Sequence, residues 1–406
     1  MRFIAIADSD SYLRWAAAFL GALPGTTERE LILVETPVLP SEAQRSAALA
    51  VGGVDPDRLL CLPLHEVLAV LRRDPPDAVL VALRGPVAAV LIRLTAELAV
   101  RPVIVTGLPG ISIPATRKAL AFRRQADLFV LHSRREIREF TRLSRENGWT
   151  HRFALATLPF VEQRTGAGGD DLVFAAQAVV PRAREEREQL LEILLDAARA
   201  DPSRRVVIKV RAVAGERQTH DEDASFPELL EDAREAGVDI PGNLVVSTAP
   251  MSAALDGAQG LLTVSSTAAI EAIARGIPVI ALDTFGVSDQ LINPVFEGSG
   301  LFGDAEAVAR RGFRHPDPAW LADNYFHAVE SDDVAGQLQA LVAARRQGVL
   351  PAREPARRAG GRLRLTWDRK RAFGDADRTV SGAVALAVGT PARATVKAAR
   401  KVKRAL

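Results

Sequence analysis

The sequence predicts an α/β protein made of two facing, doubly wound domains, followed by a basic tail. Three observations carry that expectation. Short apolar runs alternate with amphipathic stretches of helical period, the pattern restarts after residue 165, and 406 residues exceed what one ordinary core accommodates. The predicted units are 1–165, 166–340 and a tail at 341–406.

The first unit opens with a strand at 3–7 and a helix at 12–23. Further strands follow at 31–35, 77–83, 102–106 and 128–131, with a helix at 87–99 between two of them. These runs are apolar throughout rather than alternating, as strands of a parallel sheet covered on both faces must be. TGAGG at 165–169 is the clearest interior linker signal. Beyond it come a strand at 172–176, a helix from Pro181 to Ala200, and strands at 206–210, 244–246, 260–264 and 278–282. Two such units facing one another place a ligand cleft between their strand C-terminal ends.

Composition narrows the function classes. Hydrophobic residues make up 48% and charged residues 25%, values of an ordinary globular protein. The single cysteine, Cys61, rules out an internal disulfide and a cysteine-based zinc cluster. The net charge of +2 hides an asymmetry: residues 351–406 carry 15 Lys or Arg against 4 Asp or Glu, so the first 350 residues are acidic. An acidic body argues against a protein that coats nucleic acid, and no nucleic-acid partner is expected. MRFIAIADSDS reads as an opening strand rather than a signal peptide. No window approaches the roughly 18–20 apolar residues that span a bilayer. The expected location is cytoplasmic, with peripheral attachment to the inner face of a membrane through the tail.

The strongest local signal is GLLTVSSTAAIEAIARGIPVIALD at 260–283. It reads as strand, hydroxyl-rich turn, helix, glycine stop and second strand. Ser265, Ser266 and Thr267 stand where a helix begins, a place whose backbone N–H groups and dipole suit a phosphate. An N-cap without any ligand is the competing reading. Glu271, about one turn further on, can reach a ribose hydroxyl pair, and Gly276 suits a helix C-cap.

Ser-Ser-Thr, the helical Glu and Gly-x-Pro-Val-Ile together resemble the donor-binding segment of GT-B glycosyltransferases, a fold of two Rossmann-like domains. Within that fold the segment looks most like bacterial capsule-type Kdo transferases and sialyltransferases, and it is also similar to an actinobacterial glycosyltransferase family without an assigned substrate. The resemblance implies that the paired hydroxyls hold donor phosphate. Many retaining GT-B enzymes carry two Glu eight positions apart here, whereas the position eight before Glu271 is Thr263. By analogy that departure points to an inverting, metal-independent transfer, with no cofactor beyond the nucleotide-sugar co-substrate.

Other candidates surround this motif. Lys209 and Arg211 end a strand, with Glu216 and His220 in the following loop. The cations can neutralise a phosphate, and the resemblance gives His220 the role of supporting the leaving group. Gln177 follows the first strand of the second unit. In the first unit Asp8 and Asp10 follow the opening strand. Asp8 is the preferred base for the acceptor hydroxyl, against a turn or cap role. VTGLPGISIPATR at 105–117 supplies Gly107 and Gly110 in a loop expected to face the cleft, with Arg117, Arg123 and Arg124 after it to hold an acidic acceptor. His132 ends another strand on the same side.

In the tail, Thr390-Pro391 suits a helix start. Arg393, Lys397, Arg400, Lys401 and Arg404 would then share one arc, opposite a thin Val/Ala face, a pattern that fits reversible contact with anionic lipid or a solvated tail. The expected function is transfer of a sugar from a CMP- or UDP-linked donor to an envelope or extracellular glycan, or to a lipid-linked acceptor. The alternatives are a nucleotide-sugar epimerase of the same fold and a non-catalytic nucleotide-sugar-binding scaffold.

Overall fold

The computed structural model describes residues 1–158, 168–210, 224–354 and 360–391. Strands β1 (Arg2–Ala7), β2 (Glu28–Val34), β3 (Leu59–Leu62), β4 (Ala78–Ala82), β5 (Val103–Gly107), β6 (Leu128–Leu131) and β7 (Phe153–Leu155) form one parallel sheet, in the order β3-β2-β1-β4-β5-β6-β7. Strands β8 (Asp171–Ala175), β9 (Val206–Lys209), β10 (Leu244–Ser247), β11 (Ala258–Thr263), β12 (Val279–Leu282) and β13 (Phe302–Gly303) form a second, in the order β10-β9-β8-β11-β12-β13. The result is a pair of parallel-sheet α/β domains, as the alternation of the sequence predicts, in the GT-B-like arrangement that the resemblance of the 260–283 segment implies.

Burial explains the strand composition. All five residues of β4, AVLVA, are inaccessible, and so are those of β5 and β6 apart from traces. Helices cover both faces of such sheets. The Asp10–Ala22 helix packs Leu13, Trp15, Ala16 and Leu20 onto the first sheet, while Arg184–Ala200 buries Leu190, Leu194 and Leu195 on the second.

Strand order reverses between β1 and β4 in the first sheet and between β8 and β11 in the second. In open sheets of this kind ligands bind beyond the strand C-termini at the reversal, because the flanking loops diverge there and leave a crevice. Asp8 and Arg84 stand at the first reversal, Gln177 and Ser265 at the second.

Several expectations change. β3, β7 and β13 are edge strands of only four, three and two residues, too short to stand out in the sequence. The helix placed at Pro181 starts three residues later, at Arg184. Residues 165–167 of the linker lie outside the described residues. The C-terminal boundary also moves. The Val334–Arg346 helix packs against β5, β6 and β7 of the first sheet, and the Gly361–Phe373 helix packs against Gly85–Ala96. The chain therefore crosses back, and the described helices Val334–Arg346 and Gly361–Phe373 pack onto the first domain. Residues 380–391 are helical, so Thr390 and Pro391 lie within that helix rather than capping a new one. The Thr390 hydroxyl instead donates to Leu386 O at 2.7 Å. Residues 392–406 lie outside the described residues. Among the described residues no helix is long and apolar enough to cross a membrane.

Candidate active site at the junction of the two sheets

The turn after β11 is held by its own side chains. Gln177, just past β8, accepts from Ser265 N–H at 3.0 Å through Oε1, and its Nε2 donates to the Ser265 hydroxyl at 3.2 Å. This pair bridges the strand-order reversal directly. Ser266 N–H donates to Thr263 Oγ1 at 2.9 Å, and the Ser266 hydroxyl accepts from Ala268 N–H at 3.2 Å. The Ala268–Ala274 helix then begins, with Thr267 before it. Gly276 follows its C-cap residue at a φ of +71°, the left-handed conformation that turns the chain into β12.

This pattern alters the phosphate expectation. The N–H groups of Ser265, Ser266 and Ala268 are already engaged within the turn, so the outward row of free amides is shorter than the sequence suggests. The hydroxyl protons of Ser266 and Thr267 remain available to donate, because both oxygens act as acceptors towards backbone N–H groups.

The first domain meets this turn at two points. Ile111 N–H reaches Thr267 Oγ1 at 3.4 Å, and a Cβ on Gly110 would lie 2.6 Å from the same oxygen. Arg14, on the helix after β1, donates to both carboxylate oxygens of Glu271 at 2.9 and 3.2 Å. Glu271 is buried, so the pair ties the two domains together beneath the surface of the junction. The sequence candidates Gly110, Gln177, Ser265, Ser266, Thr267 and Glu271 thus come together. Arg14 joins them without having been singled out; its signal is one cation in an otherwise apolar helix face, DSYLRWAAAFLGA.

Other candidates stand elsewhere or are otherwise occupied. The Asp8 carboxylate is inaccessible, and its oxygens accept from Arg84 N–H at 3.1 Å and Arg84 Nε at 2.8 Å. Burial pushes its pKa up against the pull of that guanidinium. In this arrangement Asp8 anchors the loop after β4 through Arg84. His132 is likewise held by partners within the protein. Its Nε2 accepts from Trp15 Nε1 at 3.0 Å, and its Nδ1 lies 2.8 Å from Ala156 O, to which it donates in the neutral tautomer. Burial pulls its pKa down to about 4, so the ring is neutral near pH 7. Gly107 serves packing: a Cβ there would stand 2.5 Å from the Trp15 ring. Asp10 opens the first helix. Lys209 is buried at the end of β9 and donates to Val210 O. Arg211, Glu216 and His220 lie outside the described residues. Arg123 is buried and donates to Tyr12 Oη at 2.8 Å and Leu83 O at 3.0 Å.

Behind the junction loop sits Glu136, which no sequence signal distinguishes from its charged neighbours. It is inaccessible and accepts from Ser112 N–H at 2.9 Å, His132 N–H at 2.8 Å and Tyr325 Oη at 2.6 Å. Ser112 directly follows Ile111, and Tyr325 belongs to the returning C-terminal segment. Glu136 therefore braces the loop that touches Thr267 against the crossover of the chain. Burial raises its pKa to about 7 despite three donors.

A family model described as "Putative glycosyltransferase (DUF6716)" matches residues 3–341. The chain belongs to that family. A search of the curated proteins finds no match. Among solved structures, the chain is similar to the Methanocaldococcus jannaschii UDP-GlcNAc 2-epimerase in complex with UDP-GlcNAc and UDP. The TM-score is 0.55 at 12% identity, over 84% of this chain and 99% of that one. The S. aureus MnaA–UDP co-structure gives a TM-score of 0.51 at 14% identity, over 88% of this chain and 100% of that one. At such identities the likeness is one of fold.

Proposed function

We propose that this protein is a glycosyltransferase that binds a nucleotide-activated sugar at the junction of its two sheets and passes the sugar to a glycan or lipid-linked acceptor of the cell envelope. The observation that carries the reading is the hydroxyl turn Ser265–Ser266–Thr267, pinned by Gln177 across the strand-order reversal of the second sheet. It occurs in a chain that belongs to a family described as glycosyltransferases. Ser266 and Thr267 hold donor phosphate through their hydroxyl protons, and Glu271 holds the ribose once Arg14 shares or yields it. Lys209 adds positive charge at the end of β9, where Arg211 and His220 follow in sequence. The two similar solved structures hold UDP, which supports a uridine donor. The resemblance of the 260–283 segment to Kdo- and sialyltransferases supports a cytidine donor. The absent second Glu of the retaining pattern supports an inverting outcome.

The test is incubation of the full chain with radiolabelled UDP-, CMP- and GDP-sugars and a membrane-extracted acceptor fraction, followed by separation of the products. Label transferred to the acceptor supports the proposal. Release of a C2 epimer of the sugar nucleotide with no transfer would favour the epimerase reading. Donor binding with neither product would favour the scaffold reading.

The tail is read as a membrane contact. Val380, Val384 and Val388, spaced four apart on the 380–391 helix, are 81%, 54% and 54% exposed, and six cations with no acid follow in residues 392–406. Such a stripe beside dense positive charge suits an anionic bilayer surface. Co-sedimentation with phosphatidylglycerol vesicles should fall when these valines are changed to serine.

A further inference from the structure

We propose that the cavity between the Gly85–Ala96 and Gly361–Phe373 helices is a binding site for a phosphate-bearing anion, separate from the donor crevice. The cavity measures about 1060 Å³, and none of the described residues of 168–340 lines it. Its walls come from the first domain and from the returning C-terminal segment. The inference therefore stands independently of the glycosyltransferase reading.

The charged lining is unequal. Five guanidiniums, those of Arg93, Arg124, Arg353, Arg364 and Arg371, face two carboxylates, Glu354 and Asp368. Three of the five have carboxylates of their own: Arg93 with Glu97 at 3.5 Å, Arg353 with buried Asp127 at 2.6 Å, and Arg364 with Asp368 at 3.0 Å. Among the described residues, Arg124 and Arg371 pair with no carboxylate.

Both are instead laid over indole rings. The Arg124 guanidinium is 5.8 Å from the centre of Trp149, and that of Arg371 is 4.8 Å from the centre of Trp367. Arg117 and Arg364 stack on the same two rings, at 5.4 and 4.6 Å. A stacked guanidinium satisfies its face on the ring while its in-plane N–H groups stay free, already oriented for an oxyanion. Two guanidiniums without a carboxylate partner, lining one cavity, call for a ligand with more acceptor oxygens than a single carboxylate offers. Phosphate supplies them, and the space beyond inorganic phosphate admits an apolar or saccharide body. A free phosphate compound and a phospholipid headgroup share this chemistry.

Calorimetric titration of the full chain with tripolyphosphate, and separately with dihexanoyl phosphatidylglycerol below its micelle concentration, tests the site. Saturable binding of at least one probe is expected, weakened about tenfold or more in Arg124→Gln and in Arg371→Gln, each of which removes charge-assisted hydrogen bonds. Both arginines are exposed, so thermal unfolding of the variants should match the parent, and their nucleotide binding should persist. Binding of tripolyphosphate alone identifies a soluble ligand, and binding of the lipid alone identifies a headgroup. Failure of both probes, or variants that bind as the parent does, would overturn the proposal.

Discussion

Arg14 grips both oxygens of Glu271 across the boundary between the two sheets, at 2.9 and 3.2 Å. The contact joins the helix after β1 to the helix after β11, so it couples domain approach to the group proposed to hold ribose. Glu271→Gln should weaken nucleotide binding about tenfold, the loss of roughly one charge-assisted hydrogen bond. Arg14→Gln should lower stability by about 1–2 kcal/mol, since the arginine side chain is a third exposed and part of its interaction is screened. Calorimetric titration and urea denaturation measure the two. Unchanged affinity in the Glu271 variant would remove Glu271 from the site.

Gly107, which ends β5, and Gly110, in the loop after it, should separate folding from function. The three atoms nearest a Cβ on Gly110 all belong to the Thr267 side chain, at the junction. Gly110→Ala should therefore reduce nucleotide binding about tenfold while costing about 1 kcal/mol of stability or less. Gly107→Ala drives a methyl into the Trp15 ring at 2.5 Å and towards Val130 O at 2.9 Å. Overpacking of that kind costs about 1–3 kcal/mol or more. Thermal melts with and without nucleotide distinguish the two variants, and equal melting temperatures would contradict the packing account.

Glu136 and His132 impose opposite pH dependences. Glu136 binds its proton more tightly in the folded state, at about 7 against an ordinary 4.5, so its contribution to stability is present at low pH and fades as pH rises from 4.5 to 7. His132 resists protonation when folded, at about 4 against 6.5, so its contribution is present above 6.5 and fades as pH falls towards 4. Each amounts to roughly 3 kcal/mol at its limit, and between pH 4.5 and 6.5 they nearly cancel. Glu136→Gln removes one of the pair. Relative to the parent, its stability should drop by an extra 2–3 kcal/mol, approximately, between pH 7 and pH 4.5. Urea denaturation at both pH values provides the comparison; parallel profiles would contradict the assignment.

The central parallel strands are legible because burial on both faces writes them as unbroken apolar runs: 128–131 matches β6 residue for residue, and the other predicted strands agree within a few positions at each end, while β3, β7 and β13 have no predicted counterpart. The hydroxyl turn was legible because strand, Ser-Ser-Thr and helix are contiguous. What escaped detection is long-range. The partners of Asp8 and His132 are Arg84, Trp15 and Ala156, up to 117 positions away, so their enclosure leaves no local mark. The return of residues 334–346 to the first sheet escaped for the same reason: a half-buried helix looks alike whichever domain it covers. Arg14 and Glu136 sit in helices whose local patterns are satisfied without their distant partners.

The central claim is that nucleotide sits on the turn pinned by Gln177. The most direct measurement is the shift in melting temperature of the full chain with UDP, CMP and their sugar conjugates, beside Gln177→Ala and Ser266→Ala. The account predicts a rise of several degrees with at least one nucleotide in the parent, lost in both variants although each still melts cooperatively without ligand. No shift with any nucleotide, or shifts that survive both substitutions, would contradict it.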